Sequence, residues 1–116
     1  MSFLAFNMRI WDISTETLCN QHLLGEHREL HAIWSILINN KEGYSKHPET
    51  LRWKGKLKAL YLRHEQQVKE MEKRGFNHKS PLDKEYAIGN NIQKECIDSL
   101  EKQIEILRKK GCECKL

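Results

Sequence analysis

Three stretches of the chain carry apolar residues at helical spacing, separated by segments rich in Asn, Gly, Ser and Pro. In the first, from about Ser14 to Asn39, Cys19, Leu23, Leu30, Ile33 and Leu37 recur on one face. Ser14 suits the N-cap, Glu16 suits the positive end of the helix dipole, and Asn39, Asn40 and Gly43 end the run. The second begins at Pro48, a good first-turn residue, and places Trp53, Leu57, Leu60, His64, Val68 and Met71 on one continuous stripe. Gly75, followed by the apolar Phe76, has the pattern of a Schellman stop. A loop-rich stretch from Asn77 to Asn91 precedes the third helix, which Asn90 or Asn91 is expected to cap. Ile97, Leu100, Ile104 and Leu107 give its stripe, and Gly111 stops it. No window alternates with period two for long enough to make a strand, and the short apolar stretch Met8–Ile13 is expected to be extended. The pattern predicts an all-α fold: a single compact domain of about three helices with an extended N-terminal segment. That domain spans 1–116, with 1–7 as an N-terminal extension and 8–116 as the folded body.

Composition narrows this reading. A chain of 116 residues has room for one core, and 31% charged against 39% hydrophobic residues is globular rather than disordered. No apolar run approaches the roughly 20 residues of a membrane span. The opening MSFLAFN lacks the basic and apolar regions of a secretion signal. A cytoplasmic protein with no membrane partner is the expectation. Cys19, Cys96, Cys112 and Cys114 are then expected as reduced thiols. Cys112 and Cys114 form a lone C-x-C with no second pair at zinc-ribbon spacing, so metal binding there is only weakly signalled and no metal residue is assigned.

Titratable residues interrupt the apolar face of the first helix. At about 100° per residue, His22, Glu26, Glu29 and Ile33 fall within a wedge of about 60° that overlaps the stripe. An unpaired buried carboxylate costs several kcal/mol, so each needs a partner or a raised pKa. Two readings stay open: structural ion pairs to Arg9, Arg28 or a lysine of another helix, or a functional site. His27 and His31 lie one turn apart, but Glu29 stands in the wrong place for H-E-x-x-H, and both point largely away from the wedge. They read as surface or interface histidines.

The net charge of +4 is modest, and its placement matters more. Lys46, Arg52, Lys54, Lys56, Lys58 and Arg63 cluster against only Glu49, with Tyr44 and Trp53 between them. Such clustering suits a phosphate backbone with base stacking; the alternative is a solvated helix face with Trp53 in the core. The chain has no P-loop, G-x-G-x-x-G or G-x-S-x-G, so nucleotide-loop phosphoryl transfer and serine hydrolysis lack support.

The segment Leu18-Cys-Asn-Gln-His-Leu-Leu-Gly-Glu-His-Arg-Glu-Leu30 resembles the signature of the pyrimidine-dimer DNA glycosylases, the phage endonuclease V family. There the pattern reads D/N-Q-H-L-M/L-A/G-E-Y/H-R-E-L. Lys73-Arg-Gly-Phe-Asn-His-Lys79 is similar to the family's K-R-G-F-N-x-K, and Met8-Arg9-Ile10 stands at the family's distance ahead of the first helix. The resemblance runs from about Met8 to Ser80 and fits an all-α fold.

It implies an unusual chemistry. The amino-terminal α-amine attacks C1′ of the damaged nucleotide, the base leaves, a Schiff base forms, and β-elimination cuts the strand 3′ to the abasic site. By the motif, the essential carboxylate falls on Glu29, a histidine beside the reacting sugar on His22, and an arginine near the lesion on Arg28. The matching amine is that of Met8, if the chain starts there; seven residues precede it here, and an internal amide nitrogen has no free lone pair. Met8 is therefore expected to be the true start. The family's second first-helix arginine falls on Ala32, and an aromatic tail is replaced by Gly-Cys-Glu-Cys-Lys-Leu. The expected DNA contacts are Arg9, Arg28, Lys54, Lys56, Lys58, Lys73, Arg74 and Lys79. The resemblance implies a monomer on damaged double-stranded DNA, working without cofactor or metal, with 8–116 as the glycosylase-like domain. Two rivals stay open: a non-catalytic duplex-binding relative, and a helical metal-dependent hydrolase using His22, Glu26, His27 or His31.

Overall fold

The computed structural model describes residues 9–40, 46–77 and 80–116. Met8, Tyr44 and Lys79, each singled out in the sequence, lie outside them. Among the described residues four α-helices are formed: α1 (Asn20–Asn39), α2 (Pro48–Leu51), α3 (Leu57–Lys73) and α4 (Leu100–Lys109). Two 3₁₀ turns, Thr15–Thr17 and Lys84–Tyr86, complete the order, and there is no strand among the described residues.

The first helix starts later than its periodicity predicts. Ser14 caps only the 3₁₀ turn, and Leu18 is extended, with φ −75° and ψ 137°. The reason is competition for backbone groups. A continuous helix would use the carbonyls of Thr15 and Glu16 to accept from the next turn. Here both accept from Arg74 Nη2, at 3.3 and 3.4 Å, and the amide of Cys19 donates to Cys114 Sγ at 3.1 Å. Cys19 thus becomes the N-cap of α1. The far end is as expected: Asn40 takes the left-handed conformation, φ 51°.

The second segment is broken in two. Gly55 is left-handed, φ 77°, and the chain turns there between α2 and α3. Gly89, φ 88°, passes so close that a Cβ on it would lie 2.3 Å from the Gly55 carbonyl oxygen. This crossing caps α3, whose N-cap Lys56 makes no side-chain cap bond. The carbonyls of Ile88 and Asn90 accept instead from Lys58 N at 2.8 Å and Ala59 N at 3.0 Å. The Schellman stop at the other end forms as predicted. Phe76 N donates to Met71 O at 2.8 Å, Gly75 N to Glu72 O at 3.0 Å, and Phe76 packs beside Met71.

The third helix does not begin at Asn90 or Asn91. It starts at Leu100, capped by Ser99, because residues 88–98 are spent holding other elements. Ile97 and Leu100 are consequently exposed, and Leu107 is the fully buried member of the predicted stripe.

Two apolar clusters result. Ile10, Leu30, Ile33, Trp34, Trp53 and Leu60 centre one; Trp11, Ile13, Leu18, Leu23, Met71 and Leu107 form the other. Both α1 and α3 run through both clusters, with Glu26, His27, Arg63 and Gln67 joining the helices between them. The segment before α1, from Arg9 to Asp12, is neither helix nor strand. It has no sheet partner and is pinned by side chains. Arg52 Nη2 donates to Ile10 O at 2.8 Å, Trp11 N to Glu26 Oε1 at 2.8 Å, and Asp12 N to Gln103 Oε1 at 2.7 Å.

Candidate active site and nucleic-acid interface

That pinned segment and the exposed side of α1 bound a cleft of about 450 Å³. Arg9, His22, Arg28 and Glu29, all expected site residues, line it together with Trp11, Gln21, Glu26 and Lys110. A wider cleft, about 1020 Å³, lies along the 3₁₀ turn and the start of α1 and takes in Lys73, Arg74 and Cys112, but not Glu29. The smaller cleft holds the convergent titratable groups.

The two carboxylates of the α1 wedge have opposite fates. Glu26, 2% exposed, accepts from Arg63 Nε at 2.8 Å, Arg63 Nη2 at 3.0 Å, Trp11 N and Gln67 Nε2. Every lone pair it offers is used, so it is a structural ion pair, to an arginine of α3 rather than to Arg9 or Arg28. Glu29, one turn on and 7% exposed, has an Oε2 that is buried with no hydrogen bond. Burial holds its carboxyl above the usual range, against the pull of the Arg28 guanidinium. A carboxylate kept near cationic groups but left unbonded is suited to developing positive charge or to proton transfer.

His22 is partly buried; burial, then the Lys110 charge, lowers its pKa. Its Nδ1 lies 3.2 Å from Cys19 Sγ and 3.4 Å from Cys114 Sγ. Burial pushes the Cys114 thiol up to about 12, against the pull of the Cys19 amide, with side-chain bonds to Cys112 and Cys19 adding to the rise. Arg9 is committed in part, donating to Asp98 Oδ2 at 2.9 Å with its guanidinium 4.9 Å from the Trp11 ring centroid. The sequence does not single out Lys110 and Gln21; Lys110 closes the cleft from beyond the last turn of α4, a placement that local pattern does not carry.

The basic stretch divides. Lys54 and Lys58 are exposed, and Lys56 is partly buried, bonded to Gln93 Oε1 at 2.8 Å. None of the three lines the cleft. Arg52 is internal and Arg63 partly buried on Glu26: Arg52, 5% exposed, bonds Glu49, Asp12, Glu95 O and Ile10 O. Trp53 is core, its Nε1 donating to Glu49 Oε1 at 3.0 Å, so it offers no stacking face. Lys73 is exposed, whereas Arg74 is drawn into bonds with Glu70, Asn20 and the Thr15 carbonyl.

His27 and His31 are not surface histidines. They meet His64 of α3, with ring centroids 4.6 to 5.0 Å apart and ligand atoms within reach of one ion. His22 stands in a separate cluster with the thiols, and Glu26 is consumed by Arg63, so the four residues a helical metal-dependent hydrolase would use are not gathered into one centre.

No curated protein and no solved structure matches the chain. Residues 8–84, more than half of it, match the sequence model of the family described as pyrimidine dimer DNA glycosylase, and the chain belongs to that family.

Proposed function

We propose that the protein is a DNA repair glycosylase with abasic-site lyase activity, acting on pyrimidine dimers or a related base lesion in duplex DNA. The observation that carries this reading is the buried, unbonded Glu29 oxygen in a cleft that also holds Arg9, Arg28, His22 and Lys110. An amine attacks C1′, the N-glycosidic bond breaks, and the base departs with its electron pair. The sugar ring opens to an iminium on C1′. Loss of a C2′ proton expels the 3′ phosphate, and water then hydrolyses the imine. Glu29 stabilises the cationic sugar or moves a proton, and Arg28 holds a phosphate beside the lesion. Lys54, Lys56, Lys58, Lys73 and Lys79 contribute salt-sensitive affinity for the duplex.

The nucleophile in this reading is the α-amine of Met8 in a chain that begins there. Such an amine has a pKa of about 7.7–8.0 against about 10.4 for lysine, so a useful neutral fraction exists near pH 7. Arg9, the next residue, already lines the cleft. Borohydride trapping tests the proposal on duplexes carrying a dimer, an abasic site or an oxidised base. A covalent adduct on the Met8 amine, forming faster in protein that starts at Met8 than at Met1, is the expected result. Salt-dependent duplex binding with no adduct on any substrate would mean a non-catalytic relative. An adduct on a lysine would keep the lyase chemistry and remove Met8 from it.

A further inference from the structure

The C-x-C near the end of the chain does find partners in space. The segment after α4 has no regular secondary structure, yet Cys112, Cys114 and Leu116 pack against the second core cluster. Lys115 N donates to Thr17 O at 2.7 Å, which lays the tail across the entry to α1. One ligand atom each of Cys19, His22, Cys112 and Cys114 then lies within 4.8 Å of all the others.

We propose that Cys19, His22, Cys112 and Cys114 form a structural zinc site that fastens this tail to the start of α1. Tetrahedral zinc, with Zn–S near 2.3 Å and Zn–N near 2.0–2.1 Å, separates its ligand atoms by about 3.5–3.8 Å. The two sulfur–Nδ1 distances, 3.2 and 3.4 Å, need only a small expansion to admit it. Three thiolates and one imidazole are a donor set for zinc rather than for magnesium or calcium. Cys19 and His22 lie three positions apart at the first turn of α1, so one turn presents both. Cys19 is the N-cap without a side-chain cap bond, and its Sγ faces His22 Nδ1 rather than the helix end. The amide of Cys19 already donates to Cys114 Sγ at 3.1 Å, as amides support metal-bound sulfur. Three thiolates on one divalent ion leave a net negative charge, which Lys110 beside His22 offsets.

The site borders the Glu29 cleft through His22. Ligation by Nδ1 leaves Nε2 as an N–H donor and fixes the ring. The zinc would therefore position a cleft residue without touching DNA, and its presence does not depend on the glycosylase reading.

Metal content tests this without any DNA. Full-length protein purified under reducing conditions without chelator should carry about one zinc per chain. Stripped and titrated with cobalt(II) alone, it should develop a thiolate-to-cobalt charge-transfer band and the intense visible absorption of a tetrahedral centre. Cys112→Ser with Cys114→Ser should abolish that band and weaken binding about 100-fold or more. Because the wild-type spectrum is read first, unfolding of the double variant does not decide the matter. Three results would overturn the site: a cobalt complex without charge transfer, a stoichiometric metal retained by the double variant and so held by His27, His31 and His64, or a disulfide among these cysteines under reducing conditions.

Discussion

Replacing Glu29 by Gln should separate stability from chemistry. The wild-type side chain buries an oxygen with no hydrogen bond. An unsatisfied buried acceptor costs about 1–3 kcal/mol, and more when charged. Glutamine keeps the shape and removes the charge, so Glu29→Gln should stabilise the protein at pH 8 by about 1 kcal/mol, or about 4 °C in Tm for a domain of this size. The pH dependence has a definite sign. Burial raises the folded pKa of Glu29 above its unfolded value, which is about 4.3. Below the unfolded value both states hold the proton and the penalty vanishes; above the folded value the wild type bears it in full. The variant's advantage should therefore be near zero at pH 4 and grow as the pH passes through the folded pKa. Cleavage of a dimer-containing duplex should fall by about 10²–10⁴ with duplex affinity retained. Denaturant titrations of both proteins at pH 4, 6 and 8, beside single-turnover cleavage, read both effects. A variant less stable than wild type at pH 8, or a difference constant with pH, would refute the unbonded buried carboxylate. Near-normal cleavage would remove Glu29 from the mechanism.

Glu26→Ala should behave in the opposite way, losing about 3–5 kcal/mol in urea unfolding, because it strands the Arg63 guanidinium and the Trp11 amide in the interior. Changing Lys54, Lys56 and Lys58 together to Ala should weaken binding to damaged and undamaged duplex alike and flatten the salt dependence by about one unit of slope for each phosphate no longer neutralised. An unchanged slope in fluorescence titrations would make those lysines a solvated face. Gly89→Ala should cost about 2–3 kcal/mol or more, since its Cβ would meet a backbone carbonyl that cannot rotate away. Gly75→Ala, with open space around it, should lose only about 1 kcal/mol by the same thermal-melt comparison.

Local signals in the sequence carry the ends of helices well where one residue decides the geometry. Asn40 and Gly75 adopt the left-handed stops expected of them. The starts are less legible, because Arg74 and Cys114 reach in from distant parts of the chain to take the groups a longer first helix needs. Gly55 goes unmarked in the sequence because the Trp53–Met71 periodicity runs across it; what requires it is the crossing with Gly89, a contact no periodicity reports. The α1 wedge is legible as an anomaly. Which of its two carboxylates is structural is not, since Arg63 and Gln67 stand 37 and 41 residues away. The histidines look peripheral in the sequence because His64 counts there as one more member of a stripe rather than as the neighbour of His27 and His31.

The pinned segment from Arg9 to Asp12 sets the order in which the cleft can be completed. Its clamps include Asp98 and Gln103, 89 and 91 positions further along the chain. Loop closure over such distances comes late in folding, after local helices have formed. On the ribosome the two clamps are still unmade when the region that identifies the family, 8–84, has been synthesised. A nascent chain holding 8–84 has the partners for the Arg52–Ile10 and Trp11–Glu26 clamps, but the pocket is finished only when Asp98, Gln103 and Lys110 arrive.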